Sequence, residues 1–368
     1  MKKSIFRLLQ EQLDQYSFGF PATDSGIELE ILKGMFTEAE AAMFTALTAK
    51  LETPAAVAAR LDRPVDEVAG QMEDMAQKGL FFRQRRRGES PEYSAIPFIH
   101  GLVEFQIERL DKKAVKLVGL YIKEKFKDVI SKNTQSFMRT IPVRHSVEVT
   151  HNVAAYEDAC EILRKEKLIV VTDCACRRQK ALFGRDCGKP IEVCFMFGPM
   201  GQYYIDNGLG RRIDLDEALA ILAKAHEAGL VTQPASAQKP FTMCNCCGCC
   251  CGFLHAVNKH PKPAELVFSN YTAVVDQETC SGCETCVERC EMGAVKMNSD
   301  GLSEIDPDRC IGCGLCVTTC PEEAVRLVPK PETKHRTPPA DTAAQMIRLA
   351  EKRGIESNDL SRIVSFGF

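Results

Sequence analysis

The segments CSGCETCVERCEMGAVK at 280–296 and CIGCGLCVTTCPEEAVR at 310–326 are one motif written twice, 30 residues apart. Each half reads Cys-x2-Cys-x2-Cys-x3-Cys, and Asp276 with Asp306, Ala294 with Ala324 and Val295 with Val325 fall into the same register. Two residues between cysteines make a tight loop that turns three thiols toward one point. The fourth thiol, at a helix start, faces the other half. Gly282, Gly312 and Gly314 let the backbone wrap closely and aim N–H groups at sulfur. Soft thiolate sets suit zinc or iron–sulfur clusters. Eight cysteines in register twice point to a pair of [4Fe–4S] clusters rather than to paired zinc knuckles.

The segment resembles the two-cluster bacterial ferredoxins over roughly 60 residues, which implies a βαββαβ fold there and a crossed ligand scheme. One [4Fe–4S] cluster is expected on Cys280, Cys283, Cys286 and Cys320, and the other on Cys310, Cys313, Cys316 and Cys290. The second half keeps the usual Pro321 after its last cysteine. The first half has Glu291 instead, which is expected to change the local turn and the potential of the cluster receiving Cys290.

Outward from the repeat, the whole chain is unusually rich in cysteine. It has 368 residues and 19 cysteines, 14 of them between Cys244 and Cys320. Apolar residues make up 45% and charged residues 26%, so folded cores are expected rather than a disordered chain. A formal net charge of -3 excludes a globally basic nucleic-acid binder. The start, MKKSIFRLLQEQLDQYSFGF, reads as an amphipathic helix and not as a signal peptide, and no run of 18 apolar residues suggests a membrane span. A cytoplasmic setting follows as an expectation, and there cysteines serve metals more often than disulfides. Cys160, on the helical pattern AAYEDACEILRKE, is the exception, read as a small buried apolar residue.

Ten further cysteines lie in the middle. Cys174, Cys176, Cys187 and Cys194 form a Cys-x-Cys-x10-Cys-x6-Cys set that starts at a strand end, with Arg177 and Arg178 placed to offset negative charge. The run CNCCGCCCG supplies Cys244, Cys246, Cys247, Cys249, Cys250 and Cys251. Six thiols in eight residues cannot all reach one cubane, because adjacent side chains diverge. On a helix, Cys247 would share a face with Cys251, and Cys246 with Cys250. Two arrangements stay open: the run holds its own cluster, or it combines with 174–194 into one or two centres, non-cubane geometries included. One or two additional Fe–S clusters are therefore expected, a zinc site being the alternative for the 174–194 set. Paired Cys-Cys motifs bind non-cubane clusters in heterodisulfide-reductase-type subunits, but the intervals here differ. His255 and His260 follow the run and are read as solvated or capping residues rather than ligands.

Toward the N-terminus, three helical patterns are followed by a hairpin. TEAEAAMFTALTAK has Thr37 and Glu40 as a capping box, TPAAVAARL has Thr53 as cap and Pro54 at the first helical position, and RPVDEVAGQMEDMAQKGL stops at Gly79. LFFRQRRRGESPEYSAI supplies the hairpin, and the order resembles a winged helix-turn-helix. The candidate recognition helix, 64–79, carries Asp66, Glu67, Glu73 and Asp74 against Lys78, a poor face for phosphate. The hairpin is basic at Arg83, Arg85, Arg86 and Arg87. DNA is thus disfavoured as a partner and docking or dimerisation preferred.

The expected architecture is an α+β multidomain chain. An N-terminal helix with a winged-helix-like domain spans 1–97 and a helical connector, beginning with one long amphipathic helix, 98–150. A central cysteine-rich α/β domain spans 151–268, the ferredoxin-like dicluster domain 269–330, and a Pro-rich linker with a final helix 331–368. The same order of elements resembles a group of uncharacterised multi-cluster 4Fe–4S proteins of anaerobic bacteria, with a DCxCR element and a CNCC-rich run.

The function expected is electron transfer: single electrons relayed through the clusters to or from a partner oxidoreductase, by a homodimer or a subunit of a larger redox complex. Two alternatives are a reductase whose central cluster acts on substrate, with Asp173 and Arg177 as catalytic candidates, and a redox-sensing regulator. No GxGxxG follows a strand and no Walker A motif occurs, so no flavin or NAD site is expected; FGPMGQYYIDNGLG at 197–210 has the wrong spacing.

Overall fold

The computed structural model describes residues 3–109, 111–126, 129, 138–143, 146 and 154–355. The chain forms two compact units, one of residues 1–133, 199–210 and 342–368, the other of 134–198 and 211–341.

In the first unit, α1 (Ile5–Leu13), α2 (Ile27–Met35), α3 (Glu38–Ala46), α4 (Pro54–Leu61) and α5 (Val65–Gln77) precede an antiparallel hairpin of β1 (Phe82–Gln84) and β2 (Glu92–Ser94). Local chemistry sets the helix starts. Thr37 Oγ1 accepts from the Glu40 N–H at 3.2 Å while Glu40 Oε2 accepts from the Thr37 N–H at 2.8 Å, and Thr53 caps α4 through the Ala56 N–H at 3.3 Å. Leu9, Leu32, Phe44, Val57, Met72 and Phe81 are buried.

Carboxylates engage the hairpin's arginines. Arg83 is 2% exposed, with its Nη1 2.6 Å from Glu73 Oε1 and its Nη2 2.8 Å from Asn207 Oδ1. Arg85 also reaches Glu73, at 2.7 Å, and Arg86 reaches Glu92 at 3.2 Å.

The single long helix expected from residue 98 does not form. Ile99 and His100 leave helical geometry, with His100 at φ 55°. A new helix begins at Lys112, where Asp111 accepts from the Ala114 N–H at 2.8 Å. An Asp side chain that can cap competes with helix continuation. The charged stretch Lys112–Lys132 runs in part outside the described residues.

In the second unit, β3 (Ile169–Asp173), β4 (Glu192–Phe197), β5 (Arg211–Ile213), β6 (Val231–Pro234) and β7 (Thr242–Cys246) make one sheet in the order β5-β3-β4-β7-β6. Every neighbouring pair is antiparallel, so the central part is α+β rather than α/β. The excursion 174–191 leaves and re-enters the sheet at one end, so the end of β3 and the start of β4 stay together there. The helices Ala159–Lys165 and Leu215–Glu227 contribute Ile162, Leu163 and Leu222 to a core with Val171, Phe195 and Met243, and Cys160 is buried in it.

The same unit contains β8 (Tyr271–Val275) paired with β11 (Val325–Pro329), and β9 (Val295–Met297) paired with β10 (Ser303–Ile305), both antiparallel. A helix, Thr285–Arg289, joins β8 to β9, and a 3₁₀ turn, Val317–Thr319, stands in the equivalent place before β11. The Pro-rich stretch after β11 is tied to this unit, since Gln238 donates its N–H to Pro339 at 2.8 Å and Asn270 Nδ2 donates to the Arg336 carbonyl at 3.0 Å. Among the described residues no helix is long and apolar enough to cross a membrane.

Candidate metal centres

Four sulfurs of the C-terminal repeat come together. Cys290, Cys310, Cys313 and Cys316 line one small cavity together with Gly312, Gly314 and the apolar side chains of Ala273, Ile311 and Leu315. Cys290 thus leaves its own half and joins three cysteines of the other. Backbone N–H groups point at the sulfurs: Ala273 donates to Cys310 Sγ at 3.4 Å and Ala294 to Cys290 Sγ at 3.2 Å. Gly312 sits at φ 67°, where a Cβ would run into the Tyr271 carbonyl oxygen. Burial pushes the Cys313 thiol up to about 12, with Cys290 and Cys310 adding to it. Four crowded sulfurs in an apolar pocket are costly as bare thiolates, and a cationic metal core relieves that cost. The donor set and the aimed N–H groups therefore fit a [4Fe–4S] cluster.

Residues 273–327 match the family model of the 4Fe-4S dicluster domain. The C-terminal part of the chain is a ferredoxin-type 4Fe–4S domain. No curated protein and no solved structure matches the chain.

In the dicluster domain's other half, Cys283 is exposed, Cys280 half-buried and Cys286 buried. Backbone N–H groups of Ser303 and Gly282 hold the Cys280 thiol below its usual range, and the Thr285 hydroxyl does the same for Cys283. Cys286 Sγ is 3.1 Å from Ser303 Oγ. Cys320 packs into the apolar cluster that holds Cys286.

Four of the ten central cysteines gather at one point. Cys187, Cys247, Cys249 and Cys250 place their sulfurs within 4.8 Å of one another. Of the other six, Cys244, Cys246 and Cys251 pack into one apolar cluster. Cys187 therefore does not join Cys174, Cys176 and Cys194, its neighbours in sequence. The shared helical faces for Cys247 with Cys251 and Cys246 with Cys250 do not arise, because Thr242–Cys246 is a strand and Gly248–Cys250 a turn.

The sheet explains the split. Cys244 and Cys246 are two apart on β7 and share a face. The β4–β7 register pairs Phe195 with Met243, so its next step sets Cys194 opposite Cys244. Cys174 and Cys176 open the helix Ala175–Ala181 at the end of β3, and Cys251 precedes the helix Gly252–Asn258. S–H donation from Cys176 and Cys194 holds the Cys174 thiol well below its ordinary value, and Cys176 and Cys246 do the same for Cys251.

Arg177 lies against the four-thiol group. It is 2% exposed, one Nη lies 3.7 Å from Cys247 Sγ, and both Nη atoms donate to the Asn245 carbonyl at 3.3 Å. Burial works against its charge, but the sulfurs of Cys174, Cys194 and Cys247 outweigh burial and hold it protonated. Asp173 is paired instead with Arg178 at 3.3 Å. His255 is exposed, and His260 Nδ1 accepts from the Lys262 N–H at 3.1 Å.

The sequence reading took Glu291 only as a break in the repeat and did not foresee its contacts. Glu291 Oε2 accepts from the Gly248 N–H at 2.7 Å, and Glu291 Oε1 pairs with Lys189. Gly248 lies inside the four-thiol group and Lys189 follows Cys187 by two residues, so Glu291 ties the Cys290 loop to the central cysteines. Met292, Ile311 and Leu315 pack beside Cys246 and Cys251 in one apolar cluster. The available signal was the break in the repeat, Glu291 standing where the second half has Pro321.

Proposed function

We propose that the protein relays single electrons through two ferredoxin-type [4Fe–4S] clusters and at least one further cluster on the central cysteines, to or from a partner oxidoreductase. Bound clusters supply one-electron carriage. The chain's own part is to hold their ligands, exclude water and set distances. In this reading Cys280, Cys283, Cys286 and Cys320 hold one cluster, Cys310, Cys313, Cys316 and Cys290 the second, and Cys187, Cys247, Cys249 and Cys250 a third.

The observation that carries the reading is the Glu291 tie. The dicluster domain is bonded, through the residue after Cys290, to the loop that presents Cys247, Cys249 and Cys250. Ligand sets joined by one carboxylate and one apolar cluster offer a short, rigid path between carriers. Cys249 and Cys283, each in a different set, are exposed and offer entry and exit points.

The N-terminal winged-helix-like part is assigned to docking or dimerisation, because Glu73 and Glu92 already engage Arg83, Arg85 and Arg86 and leave little positive charge for phosphate. Asp173 and Arg177 are assigned to charge balance rather than to catalysis, since both are engaged. The cytoplasm is the matching compartment, because exposed cluster thiols need reducing conditions. Anaerobic purification followed by EPR during stepwise reduction tests the proposal. Interacting S = 1/2 signals are expected; a colourless, iron-free protein overturns it.

A further inference from the structure

Arg177 brings a permanent positive charge to the four-thiol group. Its side chain is 2% exposed, its Nη1 lies 3.7 Å from Cys247 Sγ, and its Nε is buried with no hydrogen-bond partner. Among the described residues no carboxylate pairs with it, and both Nη atoms rest on the Asn245 carbonyl at 3.3 Å. The neighbouring charges are already matched, Arg178 by Asp173 and Lys189 by Glu291. We propose that Arg177 sets the reduction potential of the cluster held on Cys187, Cys247, Cys249 and Cys250 above those of the dicluster domain, so that electrons run from the ferredoxin repeat to this centre. The inference rests on the reading of those four cysteines as ligands and adds what that reading leaves open, the direction of transfer.

The sign follows from charge. A cluster on four thiolates is an anion when oxidised and one charge more negative when reduced. A cation at hydrogen-bond distance from a ligand sulfur favours the more negative state, and does so more strongly in a site withheld from water. Arginine keeps its proton at any ordinary pH, so the bias is permanent. The sulfurs of the repeat receive neutral donors: the Ala273 N–H on Cys310, the Ala294 N–H on Cys290, and the Ser303 hydroxyl beside Cys286. Neutral donors raise a potential too, but a charged donor makes the stronger bond.

The guanidinium is also held still. Arg177 lies on the helix Ala175–Ala181, and Asn245 on β7 is itself anchored to the flanking strands. Its Nδ2 donates to the Val193 carbonyl on β4 at 2.7 Å, and its Oδ1 accepts from Thr232 Oγ1 on β6 at 3.0 Å. A charge fixed in this way needs no reorganisation when an electron arrives. The transfer itself moves one electron: the repeat is oxidised, the Cys187 centre is reduced, and Arg177 keeps its proton throughout. A reduced one-electron carrier refills the repeat, and an oxidised partner drains the centre at the exposed Cys249.

The test uses the full chain with its clusters assembled, in EPR-monitored redox titrations with iron counted per chain. Cys249→Ser should lose about four irons and the signal of highest potential, which identifies the centre. Arg177→Met should keep those irons and shift that centre's reduction equilibrium at least about tenfold toward the oxidised state, about 59 mV for one electron, while the dicluster potentials stay in place. Arg177→Lys keeps the charge and should recover most of the shift, a rescue that loss of packing alone does not give. Arg178→Met, at a cation already paired with Asp173, should move the potential less. If Arg177→Met loses the four irons, Arg177→Gln takes its place in the comparison with Arg177→Lys. Should every Arg177 variant lose them, the order of potentials in the wild type and in Cys249→Ser decides. A neutral variant within about twofold of the wild-type equilibrium, equal shifts in the neutral and Lys variants, or loss of any signal but the highest from Cys249→Ser overturns the inference and leaves the relay standing. A wild type with about eight irons, none lost from Cys249→Ser, overturns the third cluster and the inference with it.

Discussion

Replacing Glu291 by Ala should loosen the central cysteine loop without touching a sulfur. The carboxylate accepts the Gly248 N–H at 2.7 Å and pairs with Lys189, and the two side chains are only 16% and 25% exposed. A hydrogen bond to a charged group contributes about 1.5–3 kcal/mol, and removing one partner of a buried pair costs about 3–5 kcal/mol. Partial exposure places this site lower, at about 2–4 kcal/mol, equivalent to roughly 30- to 1,000-fold in the opening equilibrium at 1.4 kcal/mol per tenfold. Glu291→Gln keeps an acceptor for the Gly248 N–H and loses the charge, so its effect should be smaller, about 1–2 kcal/mol. Hydrogen exchange of the Gly248 amide, followed by mass spectrometry on peptides covering 244–258 of the cluster-loaded protein, reads this opening directly. Exchange should speed up by these factors in the order Ala, then Gln, then wild type. If Glu291→Ala leaves exchange within about threefold of wild type, the tie contributes nothing and the reasoning fails.

Gly312→Ala should cost the protein about four irons, because the backbone at φ 67° and the Tyr271 carbonyl leave no room for a Cβ; full iron content would contradict the assigned cradle. Arg83→Met should destabilise the N-terminal unit by about 2–4 kcal/mol by leaving Glu73 and Asn207 short of their shared donor, seen as a lower denaturation midpoint; an unchanged midpoint would show that Arg85 suffices. Two groups should tilt the pH dependence in opposite directions. Burial raises Glu166 to about 7, so its contribution is present below the unfolded value near 4.5 and lost as pH rises toward 7, and Glu166→Gln should remove that decline. Burial lowers His226 to about 4, so stability is lost as pH falls from 6.5 toward 4, and His226→Gln should flatten the acid side. Denaturation midpoints measured across that pH range decide both, and profiles parallel to wild type would refute them.

The dicluster domain was legible in the amino-acid order because its information is local. Ligand spacing, paired glycines and the helix start after each loop lie within 17 residues and need no distant partner. The same holds for the caps at Thr37 and Thr53, where one side chain satisfies a backbone N–H three residues on. The end of the presumed long helix after residue 98 was less visible, since apolar periodicity runs on through Asp111 and only the formed cap shows the break.

The central cysteines show the limit of local reading. Spacing alone grouped Cys174, Cys176, Cys187 and Cys194, because they are close along the chain. Antiparallel pairing of β4 with β7 instead carries Cys194 to Cys244, while the loop between β3 and β4 carries Cys187 to the turn of Cys247, Cys249 and Cys250. The residue order thus determined how many thiols there are and that the C-terminal repeat is a 4Fe–4S dicluster domain. Which thiols meet, that Arg177 lies against one set and that Glu291 stands between two, was decided by strand register and loop closure, which join residues up to about 100 positions apart.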